Sequence, residues 1–276
     1  VNLGTGNQEL MADLVFSGLV DVDKDEVTIL PDLATTWEVS PDATVYTFHL
    51  NPAAVWSDGK PVTADDVLWT IAWSAQNPTA FKQIPVTAWL EVKGAAADAG
   101  TTNTPVGAKA IDANTVELTL EKPDSTFLRT LAGAVYYILP KHKLDGLTAA
   151  QADTCPFCLG TVGETIGSGP FDFSESISAT GASFTAKKNY WKGKDSQIDT
   201  LVYKIQDSSV SVAQLAAGVL DLTIRVPPAE GPGLANVAGR KQLNGPGGGV
   251  CDVHCENTNT DKAQGQATGH PANQPA

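Results

Sequence analysis

An α/β architecture follows from three observations. Short segments alternate in hydrophobicity with period two, as Val45–Leu50 and Val116–Leu120 do. Between them lie stretches with apolar residues at helical spacing, notably Ala64–Ala75 and Ser208–Gly218. The two patterns interleave along the chain instead of segregating, which is how an α/β fold reads.

With 276 residues the chain has room for one large domain or two ordinary ones. An apolar fraction of 42% and a charged fraction of 18% are those of a globular protein. Thirty-one acidic against 18 basic residues give a net charge of −13, which repels polyphosphate, so nucleic acid is not expected as a partner. Nothing reaches the roughly 18 apolar residues of a membrane span. The longest candidate, Phe127–Pro140, is broken by Arg129 and Gly133. Val1 in place of an initiating methionine implies a processed or trimmed N-terminus.

In chain order, Leu10, Leu14 and Leu19 predict a short buried helix over Glu9–Val20. Tyr46, Phe48 and Leu50 share one face of a half-buried strand, with Val45, Thr47 and His49 on the other. Ser57–Pro61 carries turn chemistry, Gly59 for positive φ and Pro61 to fix the exit. Thr63 then stands as an N-cap, with Asp65 and Asp66 facing the positive end of a helix. Capping is preferred over acid–base work for these two carboxylates. Ala95–Gly107 reads as a surface loop, Val116–Leu120 as a strand ended by Pro123, and Thr126–Leu131 as a short helix. Leu147–Cys158 is a polar connection. A second block opens at Gly167–Pro170. It has strand candidates at Phe171–Ser174, Ser183–Ala186 and Leu201–Ile205, a helix at Ser208–Gly218 and a strand at Leu220–Val226. From about Ala229 large apolar residues become rare, and disorder is the physical expectation.

Enzymatic chemistry finds no positive support. His49, His142, His254 and His270 are scattered and accompany no recognisable nucleophile order. Gly245–Gly249 lacks the Gly-Lys-Ser/Thr ending of a phosphate loop. Cys155-Pro156-Phe157-Cys158 has CxxC spacing, but Leu159-Gly160-Thr161 opens no amphipathic helix behind it, which favours a structural disulfide or an inert pair. Cys251, His254 and Cys255 add soft ligands, so a thiol or zinc protein built on CPFC and CDVHC stays open as an alternative. No cofactor and no metal are otherwise called for. Six tryptophans and the Tyr136-Tyr137 pair suit either core packing or a ligand cleft.

Several ordered segments resemble the extracytoplasmic solute-binding proteins of family 5, the peptide and nickel class. Leu33–Ser40 (LATTWEVS) is similar to that family's LA-x-SWE-x-S segment. Tyr46–Leu50 and Trp56–Val67 (WSDGKPVTADDV) continue the signature. Tyr137–His142, Gly167–Phe171, Asn189–Lys194 and Leu215–Leu222 into Val226-Pro227-Pro228 add further matches. Asn51 and Val55 stand where the family usually carries basic residues.

The resemblance implies a periplasmic-binding-protein-like lobe of class II, peptide-binding type, with an inserted α+β domain and the second lobe missing. Residues 1–41 and 167–228 would form part of lobe I, residues 42–166 the insertion, and residues 229–276 a disordered or aberrant tail. The abrupt change at Val250 implies a frame shift or chimeric gene. By the same resemblance, the chain is a non-enzymatic, monomeric, extracytoplasmic capture component for a small solute, most naturally a peptide. It would serve an ABC importer permease and meet the membrane only through a lipid anchor or that permease. As a partial chain it would bind poorly, and a non-functional remnant is the further alternative. Asn2, Thr5, Gly167 and Gly169 are the implied ligand or hinge residues, Tyr136 and Tyr137 are aromatic candidates for the ligand or for core packing, and Cys155 with Cys158 is a possible disulfide in an oxidising compartment.

Overall fold

Tyr46, Phe48 and Leu50 point into one core while Val45, Thr47 and His49 remain half-exposed, as alternation on a pleated strand requires. The computed structural model describes residues 6–23, 25, 27–76, 87–96, 104–133, 136–152, 154–193, 196–223, 240–244 and 253–257. It divides into two compact units, Val1–Tyr203 and Lys204–Ala276.

In the first unit, β1 (Val20–Val22) and β2 (Ile29–Pro31) pair as an antiparallel ribbon. A four-stranded antiparallel sheet follows with strands β3 (Ala34–Val39), β4 (Val45–Leu50), β5 (Ala108–Asp112) and β6 (Thr115–Thr119). Its order is β3-β4-β6-β5. Opposite register pairs Tyr46 with Leu118 and Phe48 with Val116, and these four side chains are buried together. Each such burial stabilises the fold by roughly 1.5–3 kcal/mol.

Helix α2 (Ala64–Gln76) packs on β5 and β6. Val67, Ile71 and Ala75, one helical turn apart, are fully buried. At its start Asp66 Oδ2 reaches back to accept both the Thr63 N–H at 2.9 Å and the Thr63 hydroxyl at 3.2 Å, while the Asp66 N–H donates to Thr63 O at 3.0 Å. Asp66 Oδ1 also accepts the Lys141 N–H at 2.9 Å, so this carboxylate ties the helix start to a distant segment. The WSDGK turn closes as expected, with Gly59 at φ +82° and the Trp56 N–H donating to Lys60 O at 2.8 Å.

Helix α1 covers Gly6–Val15, so the helix read from the sequence over Glu9–Val20 begins earlier and stops short. It stops because the backbone of Ser17, Gly18 and Leu19 is taken up by extended pairing with residues 33, 34 and 138. The predicted loop Ala95–Gly107 is tied down at its described ends: Ala95 is buried, and the Gly107 N–H and C=O bond to Lys93 and Thr119. The strand candidates of the second block form as β7 (Phe171–Ser178), β8 (Gly181–Ala186) and β9 (Thr200–Lys204), in the order β7-β8-β9. Short helices at Thr87–Glu91 (α3), Phe127–Leu131 (α4) and Lys141–Leu144 (α5) connect the layers.

The second unit contains α6 (Ser208–Ala216) and the antiparallel sheet β10-β12-β11, formed by Leu222–Thr223, Val253–Asn257 and Arg240–Asn244. Strands β11 and β12 lie where composition leads one to expect disorder. Ladder pairing satisfies backbone groups without needing large apolar side chains, which is why such composition does not preclude it. No helix among the described residues is long and apolar enough to cross a membrane.

Candidate functional site

The segment Ser17–Val22 is the spine of the site. Beyond Val15 the chain runs extended between two neighbours. On one side the Leu33 and Ala34 N–H groups donate to Gly18 O and Leu19 O at 3.1 and 2.9 Å. On the other the Ile138 N–H donates to Ser17 O at 3.0 Å, and Gly18 pairs antiparallel with Tyr137. A side chain at Gly18 would place its Cβ 3.2 Å from Val20 O and 3.3 Å from Tyr136 O, tighter than ordinary contact.

A cavity of about 380 Å³ opens over this spine. Its apolar wall is aromatic. Phe16 packs on Tyr137 with ring centroids 6.0 Å apart, and Tyr136 stands edge-on to Trp89 at 5.6 Å. The tyrosine hydroxyls are engaged: Tyr137 donates to Asp13 Oδ1, and Tyr136 accepts the Ala88 N–H at 3.3 Å.

The polar wall centres on Asp32 and Lys192. Asp32 is 8% exposed, and its Oδ2 accepts the Gly18 N–H at 2.9 Å. Lys192 Nζ lies 2.5 Å from Oδ1, an ionic contact. Burial raises the Asp32 carboxyl above the usual range, and the Lys192 ammonium limits the rise. Burial likewise pushes up the neighbouring Tyr190 phenol, with a hydrogen bond to Ser17 opposing it. The turn bearing Lys192 is anchored behind the spine. Trp191 Nε1 donates to Ser168 O at 2.6 Å, and Ser168 Oγ accepts the Ser17 N–H at 3.2 Å. Among the described lining residues, Asp13, Asp21 and Asp32 set three carboxylates against the Lys192 ammonium. The arrangement presents flat aromatic faces, an acidic field and a cationic locus, groups of the kind that recognise a small polar solute.

Of the residues singled out from sequence, Tyr136 and Tyr137 line this cavity. Gly167 and Gly169 sit behind it against the end of α1. A Cβ on Gly167 would fall 1.9 Å from Val15 O, and the Gly169 N–H donates to the same oxygen at 2.8 Å. Both glycines are thus required by close backbone approach. Asn2 and Thr5 lie outside the described residues, as does Cys251. Cys155 and Cys158 are joined by a disulfide, Cα atoms 5.1 Å apart. Among the described residues no group of three or more His, Cys, Asp or Glu could hold a metal.

Sequence reasoning passed over Asp32, Lys192, Asp13 and Asp21. A signal existed for two of them: Asp32 immediately precedes the Leu33–Ser40 segment, and Lys192 lies inside Asn189–Lys194. A second polar cluster, also unforeseen, pins the WSDGK turn to this region. Ser57 Oγ donates to Asp172 Oδ1, and Lys187 Nζ donates to Gly167 O at 2.7 Å while lying 3.4 Å from Asp172. Burial lowers the Lys187 ammonium from its ordinary value, with Asp172 opposing.

Comparison with known proteins places this lobe. Its mixed α/β fold is that of the periplasmic binding proteins. A periplasmic oligopeptide-binding protein of Borrelia burgdorferi superposes with a TM-score of 0.73 at 25% identity, covering 88% of this chain and 47% of that one. The chain belongs to the bacterial extracellular solute-binding proteins of family 5, whose model (family 5 Middle) matches residues 28–262. The dipeptide-binding protein of Escherichia coli (strain K12) is 31% identical over 214 residues, 73% of this chain and 37% of that protein. Heme-binding protein A of Haemophilus influenzae is 29% identical over 218 residues, 76% of this chain and 38% of that protein. The chain thus spans less than half the length of the curated relatives it matches.

Proposed function

We propose that this chain captures a peptide outside the cytoplasmic membrane for an ABC importer, without catalysing a reaction on it. The observation that carries the reading is the cavity over Ser17–Val22. Its lining carries Asp13, Asp21 and Asp32 as an acidic field for an ammonium, the Lys192–Asp32 pair, whose ammonium a ligand carboxylate would share, and tyrosine faces for the apolar parts between. A short peptide has those three features. The peptide-binding relatives support the same ligand class. Tyr136 and Tyr137 are assigned to direct contact. Gly167 and Gly169 are assigned to the packed junction that holds the spine, and Asn2 and Thr5 to the ligand approach.

Affinity of the chain by itself is weak in this reading, because it spans less than half the length of relatives that bind as whole proteins. Isothermal titration with a di- and tripeptide pool tests both parts. Saturable binding weaker than about 1 µM, lost in Y137A, is the expected result. Sub-micromolar binding would overturn the impairment. Binding of a nickel–histidine complex or haem with none of peptides would overturn the ligand class. The extracytoplasmic address and the permease partner are tested by pull-down of the permease on a membrane fraction.

A further inference from the structure

We infer that Cys155–Cys158 is a thiol–disulfide exchange site, with Cys155 the sulfur that meets external thiols, and that opening the bridge loosens the aromatic wall of the cavity. The two cysteines are unequal. Cys155 is partly exposed, and its carbonyl accepts the N–H of exposed Leu159 at 3.1 Å, whereas Cys158 is buried. The Cys158 N–H donates to Cys155 Sγ at 3.1 Å. A donor aimed at that sulfur favours the thiolate it becomes when the bridge opens. Access and stabilisation therefore fall on the same atom.

The residue between the cysteines links the bridge to the site. Phe157 is buried, its carbonyl accepts the Thr165 hydroxyl at 2.8 Å, and its ring lies 5.9 Å from that of Phe16. Phe16 in turn packs on Tyr137, and both line the cavity. While the bridge is closed, Phe157 is held between two covalently joined neighbours and supports Phe16 from below. Once it opens, that constraint is gone and the stacked rings gain freedom.

The step requires a dithiol as reductant. One of its thiolates attacks Cys155 Sγ, the Sγ–Sγ bond breaks, and the electron pair leaves on Cys158, which takes up a proton. The second thiol of the reductant, deprotonated, attacks the sulfur bound to Cys155 and releases Cys155 as a thiolate. The dithiol ends as a cyclic disulfide, and both cysteines end reduced by two electrons in all. None of this depends on what the cavity binds, so it stands or falls separately from the peptide reading.

The test uses the full chain carrying C251S and C255S, so that only two cysteines remain. After reduction by dithiothreitol in native buffer and a brief pulse of iodoacetamide, mass spectrometry reads labelling at each position. Cys155 is expected to label at least about tenfold faster than Cys158. Equal or reversed rates overturn the assignment of Cys155, and a bridge that opens only in denaturant overturns the exchange site. Hydrogen exchange on oxidised and reduced protein reads the second half. The amides of Gly18 and Ile138 are expected to exchange at least about tenfold faster after reduction. Unchanged protection there overturns the link to the cavity wall.

Discussion

The four-stranded sheet with α2 and the cavity over Ser17–Val22 are built by different forces. In the sheet, β3–β4 and β5–β6 pair as hairpins, the β4–β6 ladder joins the two, and apolar burial holds them: Tyr46, Phe48, Val116, Leu118 and Ile71 are all essentially inaccessible. Around the cavity, polar contacts join segments more than a hundred residues apart. Tyr137 reaches Asp13, Ser168 reaches Ser17, and Lys192 reaches Asp32. The sheet should therefore respond to lost volume and the cavity to altered charge or backbone space.

The largest effect is expected in the sheet. Phe48→Ala removes a fully buried ring opposite Val116 and should cost about 3–5 kcal/mol in urea unfolding. A loss under about 1 kcal/mol would mean the sheet tolerates voids and would break the contrast drawn above. Next comes the junction between the two regions. Gly167→Ala forces a methyl onto Val15 O and should lower stability by about 1–3 kcal/mol, with tyrosine near-ultraviolet dichroism altered. Unchanged dichroism and unchanged stability would show that α1 can simply move aside.

Lys192→Ala probes the polar wall. Because Lys192 is one-third exposed, the expected loss near neutrality is about 1–2 kcal/mol, below that of a fully buried pair. Its pH dependence has a definite sign. The Asp32 carboxyl is raised when folded, so its ionisation costs stability as pH climbs through the raised titration point and the cost is relieved below it. Without Lys192 the rise is larger. The deficit of K192A should thus be full at neutral pH and narrow as pH falls toward the ordinary carboxyl value of 3.8. A deficit independent of pH would show that Asp32 is not the group left uncompensated. The smallest effect belongs to the sheet's outer face. His49 and Glu38 lie 3.1 Å apart in solvent, and His49→Ala should change stability by less than about 1 kcal/mol.

Legibility followed the same boundary. The faces of Val45–Leu50 and Val116–Leu120, the cap at Thr63, the glycine turn at Ser57–Pro61 and the α6 helix all came from periods and residues within a dozen positions. Tyr136 and Tyr137 were picked out as aromatic candidates, yet what places them on a cavity is the pairing of Tyr137 with Gly18. Helix α1 was drawn too long because Leu19 fits a helical face as well as it fits a strand. Competition from residues 33, 34 and 138 is invisible to a local window.

By itself the chain determined its α/β class, its turns and caps, and its membership of family 5, because each is written in short-range pattern or in ordered motifs. Only the tertiary structure decided that Asp32 faces Lys192, that Phe157 supports Phe16 beneath Tyr137, and that Gly167 and Gly169 are spacers against Val15. The reason is geometric. Apolar periodicity says which face of an element turns inward, whereas a polar site depends on which distant elements meet there, and that meeting is set by packing of the whole unit.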